Sequence, residues 1–281
     1  MEKIVRANRV AICVETFGER KAPAILLIGG MACSMDYWEV EFCRRLAAGP
    51  RFVIRYDFRD TGRSVSYPPG APPYTSRDLR ADAIGLLGAL GLARAHVAGI
   101  SMGGGLAQIL ALEHPDRVAS LILMSTSPGG DDLPPMAERL RKSFERPRPE
   151  PDWSDRAAVI DHLVAANRPY AGSLPGDEAA ERELLGRIFD RTVDMASSAK
   201  NHGIMMGDDD DEPLRPRLGR IRAPTLVLHG TEDPLLPYPH AVALAREIPG
   251  AVLVAMDKVG HEYPPRAVWD VVIPAILRHT S

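Results

Sequence analysis

The sequence predicts an α/β fold, a mostly parallel sheet with helices on both faces, and three observations carry that expectation. Strand-sized apolar runs alternate with helix-like runs at both ends of the chain, the rhythm parallel strands require because each crossover needs a helix. The run Ala24 to Ile28 is apolar throughout, as a strand covered on both faces must be. The third observation is local: Gly99-Ile100-Ser101-Met102-Gly103 falls where the apolar run His96 to Ile100 gives way to a helix-like run. A strand that turns sharply into a helix strains the residue at the corner, and side chains two residues to either side would collide there unless they were glycine.

Taken in chain order, Val10 to Thr16 alternates like a half-buried edge strand, and Ala24 to Ile28 reads as a central one ended by Gly29-Gly30. Met35 to Ala48 has helical spacing through Trp38, Phe42 and Leu46, and Gly49-Pro50 stops it before a strand at Phe52 to Tyr56. Ser76 is the expected N-cap of a helix that ends near Leu90, with Asp78 in its first turn and Gly91 after it. His96 to Ile100, Met102 to His114 and Val118 to Met124 form a strand, helix and strand. From about Ser127 to Arg222 the strand signal vanishes, and short helices are expected at Met136 to Phe144, Asp155 to Arg168, Asp177 to Phe189 and Thr192 to Met206. The α/β pattern then resumes with a strand at Thr225 to His229, a helix at Pro239 to Ile248, a strand at Val252 to Met256 and a helix at Ala267 to His279. The middle region is therefore an insertion within one fold.

At 281 residues, 45% hydrophobic and 25% charged, the chain can bury a full core in one large domain. Its 34 Lys and Arg against 37 Asp and Glu give a net charge of -3, which offers no electrostatic footprint for nucleic acid or an anionic membrane. The start, Met1 to Arg6, shows no secretory pattern, and the longest apolar runs are far short of the ~20 residues that span a bilayer. Cys13, Cys33 and Cys43 are odd in number and lack C-x-x-C spacing. Neither a disulfide framework nor a thiolate metal site is suggested, so a cytoplasmic, reducing setting is expected with Cys33 a small buried thiol. The run Asp208 to Glu212 lacks the turn glycine of a calcium loop and reads as a solvated acidic turn.

A nucleophilic serine needs a base to take its proton, and the base needs an acid to hold its tautomer. His96 and His229 lie in strands, His114 closes a helix and His279 is terminal. His261 instead follows the last strand in Lys258-Val259-Gly260-His261-Glu262, where an imidazole can project from the carboxyl edge of the sheet. Asp233, just past the strand Thr225 to His229, is the expected acid over its rivals Glu232 and Asp257. Ser101, Asp233 and His261 then follow the chain order Ser, Asp, His. The oxyanion of such chemistry needs backbone donors: the Met102 N–H at a helix start, and one from Gly30 or Met31 in the glycine turn after Ala24 to Ile28.

On these motifs the chain resembles the α/β-hydrolase fold enzymes over nearly its whole length. Arg55-Tyr56-Asp57-Phe58-Arg59-Asp60-Thr61-Gly62-Arg63-Ser64 is similar to the corresponding loop of the aclacinomycin methylesterase group, whose near relatives include cofactor-free haloperoxidases or perhydrolases and enol-lactonases. The resemblance implies a mostly parallel eight-stranded sheet, a core of residues 1–126 and 223–281, and a helical cap at 127–222 between the sixth and seventh main strands. It also implies Ser101 as nucleophile, Asp233 as acid and His261 as base, with no cofactor and no metal. Gly29 departs from the pattern, since many members carry histidine there. Asp57 and Arg59 read as a structural ion-pair loop.

The expected reaction is hydrolysis of a carboxylic ester of a small, hydrophobic molecule through an acyl-enzyme. Lactonase, perhydrolase and carbon-carbon hydrolase chemistry use the same three residues, and a non-catalytic small-molecule binder on the same fold is the alternative of another class. Epoxide and haloalkane hydrolases place aspartate where this chain has Ser101. Within the insertion Trp153, Tyr170, Phe189, Met195, Met205 and Met206 are candidate pocket lining. The expected partner is a small-molecule substrate, with no nucleic acid, no membrane, and self-association into a homo-oligomer left open.

Overall fold

The computed structural model describes residues 2–146, 148–205 and 212–281. Eight strands form one sheet in the order β1-β2-β4-β3-β5-β6-β7-β8, where β1 is Glu2–Ala7, β2 Val10–Phe17, β3 Ala24–Ile28, β4 Phe52–Tyr56, β5 Ala95–Ile100, β6 Val118–Met124, β7 Thr225–Gly230 and β8 Val252–Met256. The pairings of β1 with β2 and of β2 with β4 are antiparallel, and the rest are parallel.

The apolar run of β3 shows why the sheet is central. Ala24, Leu26 and Ile28 join the core on one face, and Ile25 and Leu27 join the core on the other, the period of two that a strand imposes. The first face is covered by α2 (Ser76–Ala89), α3 (Met102–Glu113) and α8 (Pro239–Glu247), through residues such as Leu79, Leu86, Leu106, Leu110 and Leu244. The second is covered by α1 (Val40–Ala48) and α9 (Trp269–His279), through Phe42, Leu46, Trp269, Val272 and Ile276. A Leu or Ile buried this fully contributes ~1.5–3 kcal/mol, so a five-residue segment wholly inside has no stable alternative as a surface helix.

Two expectations are corrected. The edge strand is β1, not β2: Glu2–Ala7 pairs with Val10–Glu15 across a two-residue turn whose Asn8 and Arg9 take φ of 45° and 68°. The N-cap of α2 is Thr75, one residue before Ser76, and it forms a capping box with Asp78. Between β6 and β7 the chain passes through α4 (Glu138–Phe144), α5 (Arg156–Asn167), α6 (Glu178–Arg191) and α7 (Met195–Met205). Met206 and Asp208 to Asp211 lie outside the described residues. Among the described residues no helix is long and apolar enough to cross a membrane.

Asp57 and Arg59 do form ion pairs, but with other partners than each other. Arg59 makes a two-bond contact with Asp82 at 2.7 and 2.8 Å. Asp57, with its side chain 0% exposed, binds Arg191 at the end of α6, which also holds Asp36 and, at 3.1 Å, Glu2. The Asp57 carboxylate further accepts the Met35 and Arg63 amides at 2.8 and 2.9 Å, and its oxygens fill the space a side chain at Gly62 would need. One guanidinium thus ties the inserted helices to three separate core segments. Removing it leaves a buried carboxylate without its counter-ion, which costs far more than losing an exposed pair. Arg191→Met is therefore expected to lower the unfolding free energy in urea by roughly 3–5 kcal/mol, whereas Arg141→Ala, which loses only exposed pairs on α4, leaves the urea midpoint unmoved.

Candidate active site

β5 ends at Ile100 and α3 begins at Met102, so Ser101 alone makes the corner, at φ 52° and ψ -120°. That conformation costs a non-glycine residue about 1–3 kcal/mol and persists only where the surroundings enforce it. Here both sides of the residue are fixed. The Ser101 N–H donates to Met124 O at 3.0 Å, and Ser101 O accepts from the Gly104 and Gly105 amides and from Thr126 Oγ1 at 2.9 to 3.1 Å. A Cβ on Gly99 would overlap the Gly103 carbonyl, and one on Gly103 would overlap Gly29 O and lie 2.7 Å from Ile28 O. The glycines of the motif are thus required by backbone contacts. Gly104, just outside the motif, has the same reason: its Cβ would lie 2.6 Å from that of Thr126.

The corner delivers the Ser101 hydroxyl to the carboxyl edge of the sheet, where the loops after β7 and β8 meet it. His261 Nε2 lies 2.9 Å from Ser101 Oγ, and His261 Nδ1 lies 2.8 Å from Asp233 Oδ2. Asp233 is 4% exposed, and its Oδ1 accepts the Leu235 and Leu236 amides at 2.9 and 2.8 Å. With both carboxylate oxygens accepting, the His261 Nδ1 proton points to Asp233 Oδ2 and Nε2 is left to accept the Ser101 hydroxyl. His229, wholly buried, donates from Nε2 to Leu236 O at 2.7 Å. Its Nε2 also lies 3.4 Å from Asp233 Oδ2, farther than His261 Nδ1, and burial lowers its pKa despite that neighbour.

The rival acids are elsewhere. Glu232 accepts the Ser173 N–H and hydroxyl at 2.6 and 2.9 Å. Among the described residues Asp257 accepts only the Thr231 hydroxyl, at 3.5 Å. The remaining named histidines have other partners: His96 meets Ser120 Oγ at 2.8 Å, His279 the Leu121 and Pro224 carbonyls, and His114 is the C-cap of α3.

The backbone donors resolve differently. Met102 opens α3, and the first N–H groups of a helix have no partner within it. Of the two candidates after β3, the Gly30 N–H donates to Tyr263 Oη at 2.9 Å. Among the described residues the Met31 N–H has no acceptor, while its neighbour Ala32 donates to His202 Nδ1 at 2.9 Å. Tyr263 and His202 carry no signal of this role in the sequence, since a helix or loop pattern does not show where one polar atom points. Cys33, beside this turn, is half-buried rather than buried, unlike Cys13 and Cys43, and desolvation pushes its thiol up to about 12, so it stays protonated.

A segment of the insertion touches His261 directly. Tyr170 O accepts the His261 N–H at 2.8 Å, and the Tyr170 ring lies 6.1 Å from the imidazole, centre to centre. Of the other candidate lining residues, Met205 is 1% exposed in the same core cluster as Met102, Met195 is buried, Phe189 is half-buried, and Trp153 packs on His162 at 5.7 Å. Met206 lies outside the described residues. Among the described residues no cluster of three His, Cys, Asp or Glu is placed to hold a metal ion.

Residues 23–263 match the family of the α/β hydrolase fold. The chain is 32% identical to a rhodomycin D methylesterase of Streptomyces sp. (strain C5), over 99% of this chain and 97% of that one. It is 31% identical to a rhodomycin D methylesterase of Streptomyces peucetius, with the same coverage. Among solved structures it is similar to the enol-lactonase from Burkholderia xenovorans LB400, with a TM-score of 0.72 and 25% identity over 99% of each chain.

The corner at Ser101 sets a stability contrast within one helix turn. Gly103→Ala drives a methyl group into two carbonyls of the β3 end and is expected to cost about 3 kcal/mol or more in urea unfolding. Gly105→Ala, which meets nothing within 4 Å, should instead raise stability by ~0.5–1 kcal/mol.

Proposed function

The chain belongs to the α/β-hydrolase fold family, and we propose that it is a serine hydrolase that cleaves a carboxylic ester through an acyl-enzyme. The observation that carries this reading is the continuous line from the strained Ser101 hydroxyl to His261 at 2.9 Å and on to the buried Asp233 at 2.8 Å. Ser101 Oγ attacks the ester carbonyl carbon as His261 Nε2 takes its proton, and the carbonyl oxygen becomes an oxyanion. The Met102 and Met31 amides receive that charge; Gly30, whose N–H is given to Tyr263, holds the turn. Collapse of the intermediate breaks the bond to the alcohol oxygen, which takes the proton from His261. Water then repeats the attack on the acyl-enzyme, again losing its proton to His261. The acid departs and the Ser101 hydroxyl is restored. The Asp233 carboxylate, hydrogen-bonded to His261 Nδ1, stabilises the imidazolium.

The two methylesterase relatives, matched along their whole length, support an ester as substrate, and a methyl ester in particular. The enol-lactonase neighbour favours a lactone as the second reading, since a lactone is a cyclic ester opened by the same steps. Residues 127–222 serve as the cap of this site, a role supported by the hold of Tyr170 O on the His261 backbone. The free thiols fit a reducing, cytoplasmic setting.

A fluorophosphonate probe should label Ser101, and Ser101→Ala should lose both labelling and turnover of methyl esters and lactones; labelling at another residue refutes the assignment. Asp233→Asn, which destroys the tautomer, is expected to lower turnover by about 10⁴-fold, while Asp257→Asn leaves it within about twofold because that side chain is exposed and outside the line.

A further inference from the structure

The turn after β3 has four consecutive amides, and the structure accounts for three of them. Gly30 N–H goes to Tyr263 Oη at 2.9 Å, Ala32 N–H to His202 Nδ1 at 2.9 Å, and Cys33 N–H to Gly30 O at 3.2 Å. Met31 N–H, between the two amides claimed by side chains, is the one left over. We propose that Tyr263 and His202 are positioning residues, which grip the amides on either side of Met31 so that its N–H is the one presented to the oxyanion. This rests on the reading of Ser101 as nucleophile and Met31 as oxyanion donor.

Each gripping atom is itself fixed. His202 is fully buried on α7 and its Nε2 lies 2.8 Å from Arg59 O. A carbonyl can only accept, so Nε2 carries the proton and Nδ1 offers its lone pair to Ala32. Burial, which lowers the His202 pKa, keeps that neutral form. The neighbouring Asn201 anchors the same helix turn, donating to Asp60 Oδ2 at 2.9 Å and accepting the Gly70 N–H at 2.8 Å. Tyr263 is held between Tyr37, stacked at 5.4 Å, and Trp38, edge-on at 4.8 Å. Ala32 meanwhile sits at φ 59°, a left-handed conformation that alanine leaves unless its amide is held. The two grips come from different regions, one from the loop that carries His261 and one from the insertion between β6 and β7, so the insertion takes part in setting the oxyanion site.

The test separates the two nitrogens of His202 in the full chain. In His202→Asn the amide oxygen stands where Nδ1 stood and can still accept from Ala32, but the tie to Arg59 O is lost. His202→Gln reaches Arg59 O and fills more of the volume, but places no acceptor at Ala32. Hydrolysis of p-nitrophenyl acetate and inhibition by phenylboronic acid, whose tetrahedral serine adduct presents an oxyanion, are measured with thermal melting. His202→Gln and Tyr263→Phe should each lower kcat by about 10²-fold at nearly unchanged KM, the lower end of the loss seen when an oxyanion donor is removed. Their boronate affinity should fall in proportion, whereas His202→Asn keeps kcat within about tenfold of wild type despite a lower melting temperature. If Asn and Gln lose equal activity, or if kcat tracks melting temperature with boronate affinity unchanged, the positioning role is overturned. Tyr263→Phe probes the same role while leaving His202 intact. A wild-type chain that neither turns over the ester nor binds the boronate refutes the hydrolase reading itself, and this proposal with it.

Discussion

The corner at Ser101 is the constraint around which the carboxyl edge of the sheet is arranged. A chain leaving β5 must reverse into α3 within one residue, and Ser101 manages this at φ 52° only because its carbonyl is held by two helical amides and by Thr126. The approach is so close that Gly99, Gly103 and Gly104 have no room for a methyl group. Gly103 packs on the backbone of Ile28 and Gly29 at the end of β3, which places the turn containing Met31 beside the start of α3. The same compression that strains the serine therefore sets the turn containing Met31 beside Met102; the amides of these two residues have no acceptor among the described residues and are the proposed oxyanion donors. In physical terms the strain and the proposed oxyanion site have one origin.

His261 is steadied by close backbone packing of a different kind. Gly172 and Gly260 meet with no space for side chains, and this lets Tyr170 O reach the His261 amide and Leu174 N reach Lys258 O. Glu262 receives the Gly260 amide at 3.0 Å, and Glu232 receives the amide and hydroxyl of Ser173. Glu262 also accepts the Gly172 amide at 3.4 Å, so the two glutamates beside the proposed acid and base hold the inserted segment against the loops after β7 and β8. Together with Arg191 on Asp57 and His202 on Ala32, these contacts tie the insertion to the core. An insertion tied this way moves only by disturbing groups within reach of the chemistry.

Much of this was legible in the sequence for identifiable reasons. The strands that line the sheet interior are apolar on both faces, so their limits fell within a residue or so of the structure. Ser101, Asp233 and His261 could be singled out because each lies within five residues of the end of a strand at the same edge. What escaped had no periodic signature. β1 has a mixed sequence, and its turn through Asn8 and Arg9 takes two positive φ values without a glycine to announce them. Ser76 and Thr75 are adjacent hydroxyl residues, and a one-residue shift in the cap leaves no trace in the apolar pattern. Gly29 stood out as a departure, and the structure gives its setting: Tyr263 Oη lies 3.3 Å from where a Gly29 Cβ would be. His202 and Ala32 are 170 residues apart, a separation that only the folded chain closes.

The choice of acceptors around the turn has an electrostatic logic. The amides of Gly30 and Ala32 could be held by carboxylates, which are stronger acceptors than a phenol or an imidazole. Yet a fixed negative charge about 5 Å from a developing oxyanion opposes it by roughly 3 kcal/mol at an effective dielectric of 20, enough to undo most of what one backbone donor supplies. Tyr263, whose pKa burial raises well above that of an ordinary tyrosine, and His202, whose pKa burial lowers, are both held neutral. The one carboxylate in the line, Asp233, stands behind His261, on the side where positive charge appears during the proposed reaction. Negative charge is thus admitted where it would stabilise the imidazolium of the proposed reaction and kept from the turn proposed to hold its oxyanion. A buried, uncharged clamp is what that division of charge requires.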